Sequence, residues 1–448
     1  MEDRKYDVII AGAGPAGTVL AYHLASSGFK VLVVEYRSEN DVWGKPCGDA
    51  IGLHHFKNAK VPLYSDAIKH YVKSIKIYSP SEKTVYSVYG EGVIIDRKKL
   101  GSKLLREACE KGVEVLFRHK VVNVIIRNGF VKGVIIRSPR GTTVKYESQV
   151  VVDATGFVRA IKLKLPSSWL VAEGIEAKDY NVAYRVIAEY DKDVFSDVST
   201  LHIYLNQEVS PGGYTWVFPE SSNCANIGLG VQGGRGNPIS YFKRFIVPRW
   251  LKRAKILCSG GAPIPTRQPS ASLVGPGVLV IGDAAYAVNP LHGGGMGYAF
   301  ETAYLAARTI VYALEHGDVS ERGLWRLNVD YMRGTGARQA ALDIFRRFLQ
   351  KLPNDDLEYG MSAKLIPEVE VSDISSTGEV KISTLQKALI VLKGLKRPSL
   401  LRKLKLVADF MKAIKDHYMN YPEDPNEAKR WVKRRDEIIN RFEKALER

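Results

Sequence analysis

Apolar positions follow two rhythms along this chain. One is unbroken and short. Residues 6–11, YDVIIA, form an apolar run, and the glycine turn GAGPAG follows. TVLAYHLASSG then carries apolar residues at helical spacing to Gly28, and KVLVVE makes a second short run ending at Glu35. Short apolar runs bounded by glycine read as buried strands. The rhythm returns in VVDATG (151–156) and in GVLVIG (277–282), which leads through Asp283, Pro290 and HGGGMG into the long helical pattern YAFETAYLAARTIVYALEHG. The stretch DRKKLGSKLLREACEKGVEVLFRHKVVNV reads as a strand end, a helix and a strand.

The second rhythm is alternation. In PGGYTWVFP (211–219), Tyr214, Trp216 and Phe218 fall on one face of a strand, while Thr215 and Val217 take the other. SSNCANIGLGVQGG also alternates, which predicts an antiparallel sheet. An apolar stripe of this kind is ordinarily core. Tyr and Trp, however, carry polar tips that a dry core must satisfy, and such a wall equally suits a long apolar ligand. From about residue 316 the pattern is helical. Leu385, Ala388, Leu389, Leu392 and Leu395 mark one apolar helix face, and KRPSLLRKLKLVADFMKAIKDHY follows with basic residues opposite its own. That reads as a basic amphipathic helix, packed on the domain or lying on a membrane.

The first strand, turn, helix and strand give the glycines chemical meaning. Gly12, Gly14 and Gly17 stand at GxGxxG spacing in the context a dinucleotide site requires. Gly12 allows the tight turn, Gly14 admits a pyrophosphate and Gly17 lets helix and strand pack closely. Pro15 and Ala16 open the helix, whose N-terminus offers free N–H groups to phosphates. Glu35 is placed to accept from a ribose diol.

Composition narrows the partners. Over 448 residues the net charge is +17, and from Lys381 onward eighteen basic residues face nine acidic ones. No helix-turn-helix, zinc-finger or RNA-binding pattern accompanies this charge, so no nucleic-acid partner is expected. The four cysteines, Cys47, Cys109, Cys224 and Cys258, form no CxxC, and no metal site is expected. No signal peptide is expected at the N-terminus, and no uncharged apolar run is long enough to span a bilayer. These features lead us to expect a cytoplasmic protein, with any membrane contact peripheral and at the inner face. His292 sits in HGGG, but without a GxSxG a hydrolase is discarded.

Taken together, GAGPAG, VVDATG and IGDAAYAVNPLHGGG resemble the FAD-dependent reductase and monooxygenase superfamily with the glutathione-reductase-type fold. PGGYTWVFP is similar to the PxxYxWxFP substrate motif of archaeal geranylgeranyl reductases in every fixed position, and KPCGDA (45–50) to their cysteine-bearing loop. The resemblance implies an α/β protein with a Rossmann-like FAD domain, an antiparallel substrate domain and a helical C-terminal region. The FAD domain would comprise 1–70, 97–165 and 270–315, the substrate domain 71–96 and 166–269, and the helical region 316–448.

It further implies that Gly282 and Asp283 reach the ribityl chain of FAD. Cys47, Gly48 and Ala50 would line the flavin, as would Gly294, Gly295 and Met296, which open a helix toward its pyrimidine edge. Arg97 would contact FAD, and the Val121 backbone would bond the adenine. Tyr214, Trp216, Phe218 and Pro219 would meet a polyprenyl chain. Its alkenes would be reduced by hydride and proton, with Tyr214 and Trp216 stabilising developing positive charge. The proton would come from Cys47, Asp49 or a water, although Cys47 also reads as a small residue packed under the ring. NVDYMRGTG offers Asp330 where some relatives carry a second cysteine, so no redox disulfide is expected.

The substrate would be a polyprenyl lipid or diphosphate in archaeal membrane-lipid synthesis. Electrons would come from a ferredoxin, favoured by the basic charge, or from transient NAD(P)H. Two alternatives stay open: a flavin monooxygenase, and a non-enzymatic prenyl-binding protein on the same fold.

Overall fold

A computed structural model describes residues 5–367 and 397–447. The apolar face predicted at 385–395 lies outside the described residues.

Two eight-stranded sheets organise the chain. In the first, Lys5–Ala11 is central, parallel to Val31–Val34 on one side and to Thr143–Asp153 on the other. Val278–Val280 extends the sheet beside Thr143–Asp153, and Glu114–Leu116 beside Val31–Val34. Val8, Ile9, Ile10 and Ala11 are fully buried, as are Val150, Val151 and Val152. Burial on both faces is why these strands are continuous apolar runs rather than alternating ones. The helix Pro15–Leu24 begins with proline at its first turn, where the missing N–H costs nothing. It packs against Met296–Glu315 and Arg97–Glu110. The Asp96 carboxylate caps the last of these by accepting from Lys99 N at 3.0 Å.

The second sheet is ordered Ala254–Pro265, Tyr180–Tyr190, Cys224–Gln232, Thr215–Ser221, Thr200–Tyr204, Ile68–Tyr78, Val85–Ile95, Ala50–Gly52. Its pairs are antiparallel except Thr200–Tyr204 with Ile68–Tyr78. Alternation separates its faces. Trp216 and Phe218 join Val72, Ile94 and Leu201 in one apolar cluster, while Val217 joins Ile227, Leu229 and Phe242 in another. The last strand is the end of the KPCGDA loop, with Ala50 opposite Ile94. That pairing pins the loop between the two sheets.

C-terminal helices close the molecule. Ala337–Leu349 packs against Pro398–Met419, which packs on Ala428–Leu446. Among the described residues no helix is long and apolar enough to cross a membrane.

Candidate active site

The turn after the first strand is built by close approach. Gly12 has φ +98°, and a Cβ there would lie 2.6 Å from the Ala154 carbonyl oxygen. A Cβ on Gly17 would stand 1.8 Å from the Gly12 carbonyl oxygen, so only glycine lets this helix sit so near its own turn. Gly14 is the opposite case. A Cβ there meets nothing within 4 Å, because it faces a cavity. Glu35, 4% exposed, holds the turn from the next strand. Its carboxylate accepts from Ala13 N at 2.7 Å and from Arg37 N at 2.8 Å. Two backbone donors fix the carboxylate while leaving lone pairs for a diol.

The cavity that opens here has a volume of about 1280 Å³. Gly12, Gly14, Pro15, Ala16, Glu35 and Val121 line one end. Asp283, Gly294, Gly295 and Met296 line its middle. Asp283 Oδ2 accepts from Lys45 Nζ at 3.2 Å, and Gly295 is the uncapped N-terminus of Met296–Glu315. That helix therefore presents free N–H groups and its positive end to whatever lies beside it. Gly17 and Gly282 act from behind the cavity wall rather than on it.

The KPCGDA loop crosses the cavity. Cys47, Gly48, Asp49 and Ala50 all line it. Arg97 holds the loop from below, donating to the Lys45 carbonyl, and its Nε lies 3.8 Å from Asp49 Oδ1. That Nε is buried with no hydrogen-bond partner among the described residues, a donor left free where a ligand would lie. Asp49 has φ +61°, in the left-handed region. Burial pushes its carboxyl up to about 6, against the pull of Arg97, Lys69 and Arg185.

Opposite the loop stands the aromatic wall. Ring centroids are 6.0 Å apart from Tyr214 to Trp216 and 6.3 Å from Trp216 to Phe218. The wall touches the loop directly: a Cβ on Gly48 would lie 3.1 Å from the Phe218 ring. Tyr214 donates its phenol proton to the His292 carbonyl at 2.6 Å. Both rings line the cavity. Poor solvation raises the Tyr214 phenol and lowers His292 to about 4, so at neutral pH both are uncharged. Pro219 lies off the cavity, where its carbonyl accepts from His70 Nε2 at 2.9 Å.

Beyond the wall the cavity becomes apolar. Val72, Ile75 and Ile203 of the second sheet line it with Phe348, Leu352 and Met361 of the C-terminal region. All four cysteines are free. No cluster placed to hold a metal ion occurs among the described residues.

Sequence reasoning missed two residues that shape the wall. A Cβ on Gly228 would lie 2.3 Å from the Trp216 ring, so glycine gives the indole its seat. Asn226 bonds both the Trp216 indole and the Cys47 carbonyl. Both lie in an alternating strand whose pattern says buried but not beside what.

Comparison with known proteins agrees with this geometry. The geranylgeranyl reductase catalytic domain family matches residues 179–262, and the lycopene cyclase family matches residues 7–219. A solved geranylgeranyl bacteriochlorophyll reductase-like protein from Thermoplasma acidophilum superposes with a TM-score of 0.75 at 25% identity, covering 90% of this chain and 99% of that one. A myxobacterial FAD-dependent chondrochloren halogenase shares the fold, with a TM-score of 0.63 at 18% identity over 87% of this chain and 97% of its own. The open Gly14, the anchored Glu35 and the uncapped helix at Gly295 fit a dinucleotide such as the FAD on which that halogenase depends.

A digeranylgeranylglycerophospholipid reductase of Methanothermobacter thermautotrophicus is 31% identical over 84% of this chain and 95% of its own. With the digeranylgeranylglycerophospholipid reductase of Sulfolobus acidocaldarius the identity is 42% over 100% of both chains, and this chain belongs to that family.

Proposed function

We propose that this protein is an FAD-dependent reductase that saturates the isoprenoid C=C bonds of digeranylgeranylglyceryl phospholipids. The observation that carries the reading is the continuity of one cavity. It runs from the glycine turn, past the KPCGDA loop and the aromatic wall, into an apolar end suited to a polyprenyl chain. The two sheets support our division into FAD, substrate and C-terminal helical parts.

When bound, FAD supplies a hydride to one alkene carbon. Gly12, Gly14, Pro15 and Ala16 would hold its pyrophosphate, with Gly17 packing behind them. Glu35 would hold the adenine ribose, and the Val121 backbone the adenine. Asp283, oriented by Lys45, would hold the ribityl chain, with Gly282 making the turn. Gly294, Gly295 and Met296 would bring the positive end of a helix to the ring edge, where it favours negative charge. Arg97 would fix the loop, and Cys47, Gly48 and Ala50 would bound the ring.

The second alkene carbon needs a proton. Asp49 is our candidate donor, held half-protonated near pH 6 by burial, with Cys47 the other acid on the loop. As the proton moves, positive charge grows on the more substituted carbon. The faces of Tyr214 and Trp216 would stabilise it by about 1–2 kcal/mol each. The Tyr214 proton is committed to the His292 carbonyl, so this residue acts through its ring and not as an acid. Phe218 would shape the slot, and Pro219 would end the wall. Electron delivery by a small acidic carrier suits the net charge of +17, with transient NAD(P)H the other source. We place membrane contact at the periphery.

The reading is tested by product mass. Reduced protein incubated anaerobically with a digeranylgeranylglyceryl phospholipid should add two hydrogens to each bond reduced. A lipid of unchanged mass, with the flavin present and reduced, would refute it.

A further inference from the structure

We infer that Asn226 is a positioning residue that sets the spacing between the aromatic wall and the flavin loop, through one amide shared by both. The inference rests on the wall and loop being the reaction surface proposed above.

Asn226 has no exposed surface at all. It lies on Cys224–Gln232, in register with Phe218 of the aromatic strand. Its Oδ1 accepts from the Trp216 indole N–H at 3.0 Å, and its Nδ2 donates to the Cys47 carbonyl at 2.7 Å. The amide orientation follows from its partners, since an indole only donates and a carbonyl only accepts. Each partner belongs to a different segment that lines the cavity. Trp216 is the central ring of the wall, and Cys47 is the loop residue bounding the ring site. They come from segments far apart in the chain, and Asn226 lies 179 positions from Cys47.

Burying an amide here has a cost that an apolar side chain would avoid. The chain accepts that cost where it joins two elements whose separation matters to the chemistry. Two neighbouring features fix the same spacing. Gly228 seats the indole, and Gly48 lets the loop reach Phe218. With these contacts made, the amide leaves neither ring nor loop free to slide. A displacement of about 1 Å, even one caused far from the reacting atoms, can slow a reaction by about a hundredfold.

Asn226→Asp tests the inference. It keeps the shape and the indole's acceptor, but it loses the N–H that holds Cys47. We expect the single-turnover rate with lipid to fall by about tenfold to a hundredfold while KM stays within about twofold. We also expect the visible band of the bound flavin and the indole emission to shift. Ile227→Val is the control. It lies on the same strand in the opposite apolar cluster, and it should leave rate, band and emission unchanged. Asn226→Leu, which removes both bonds, should exceed Asn226→Asp in every readout. A folded Asn226→Leu protein with wild-type rate, band and emission would overturn the inference. If wild-type protein reduces no lipid, the proposed function fails. The flavin band and indole emission still decide the role of Asn226.

Discussion

Asp49 combines a left-handed backbone with a buried carboxyl, and both shape what a substitution there does. Asparagine tolerates φ near +60°, so Asp49→Asn changes the charge and spares the loop. Burial raises the carboxyl from its ordinary 3.8 to about 6. The folded protein therefore binds this proton more tightly than the unfolded chain does. Its stabilising effect is full below about pH 4 and is lost as pH rises through about 6. Asp49→Asn should accordingly raise stability above pH 6, measured as a higher Tm, with no gain below pH 4. If Asp49 donates the proton, turnover falls as pH rises through about 6, and Asp49→Asn flattens that limb. An unaltered pH profile in the variant would remove Asp49 from the chemistry. At this scale the sequence shows residues whose role is local. Gly12, Gly14, Glu35, Cys47 and the three rings, all legible in motifs, line one cavity. It does not show Asn226, whose partners are fixed by strand pairing. It places Pro219 in the slot, where the folded chain instead turns the proline carbonyl to His70.

Elements carry the next set of expectations. The opening strand, turn and helix depend on glycine at one contact, and Gly17→Ala would bring a Cβ to 1.8 Å from the Gly12 carbonyl. The turn must open to admit it. We expect Gly17→Ala protein to purify with little FAD, read from the ratio of visible to protein absorbance. At the other loop, Asp96 caps the helix that begins with Arg97. Asp96→Ala should cost about 1 kcal/mol in denaturant unfolding, and it should loosen FAD because Arg97 anchors the Lys45 carbonyl. Period alone identifies the buried strands, the long helix after HGGGMG and the alternating face of Thr215–Ser221. It cannot reveal that Ala50–Gly52 pairs into the second sheet or that Thr200–Tyr204 runs parallel to Ile68–Tyr78. Both are short segments whose partners lie far along the chain, and pattern holds no information on register with a distant strand.

Across the whole molecule, buried charge ties the parts together. Glu173 pairs with Arg267 at 3.0 Å and with Arg435 of the last helix at 2.9 Å. Its backbone carbonyl accepts from the Tyr286 hydroxyl beside the Asp283 turn. Burial works to raise the Glu173 carboxyl, but Arg267 and Arg435 outweigh it and hold it at about 2. A carboxyl lowered in this way stabilises the fold above its unfolded value near 4.5, and the effect is lost as pH falls toward 2. Glu173→Gln should lower stability at neutral pH and flatten its fall with pH across that window. Arg435→Ala, which strips Glu173 of a partner, should cost about 3–5 kcal/mol. The sequence reads the cations beyond Lys381 as a basic face, packed on the domain or lying on a membrane. Among them Arg435 is instead buried in ion pairs with Glu173 and Asp436, because charge counting cannot tell a paired arginine from a free one.

The central claim is that one cavity brings a reduced flavin and a polyprenyl alkene together, and flavin absorbance tests it most directly. Protein reduced with dithionite, without oxygen, should regain its visible flavin band when digeranylgeranylglyceryl phospholipid is added. The band should return in proportion to the bonds saturated, and more slowly in Asn226→Asp. A flavin that stays reduced with the lipid, yet reoxidises with oxygen and hydroxylates an added acceptor, would contradict the account.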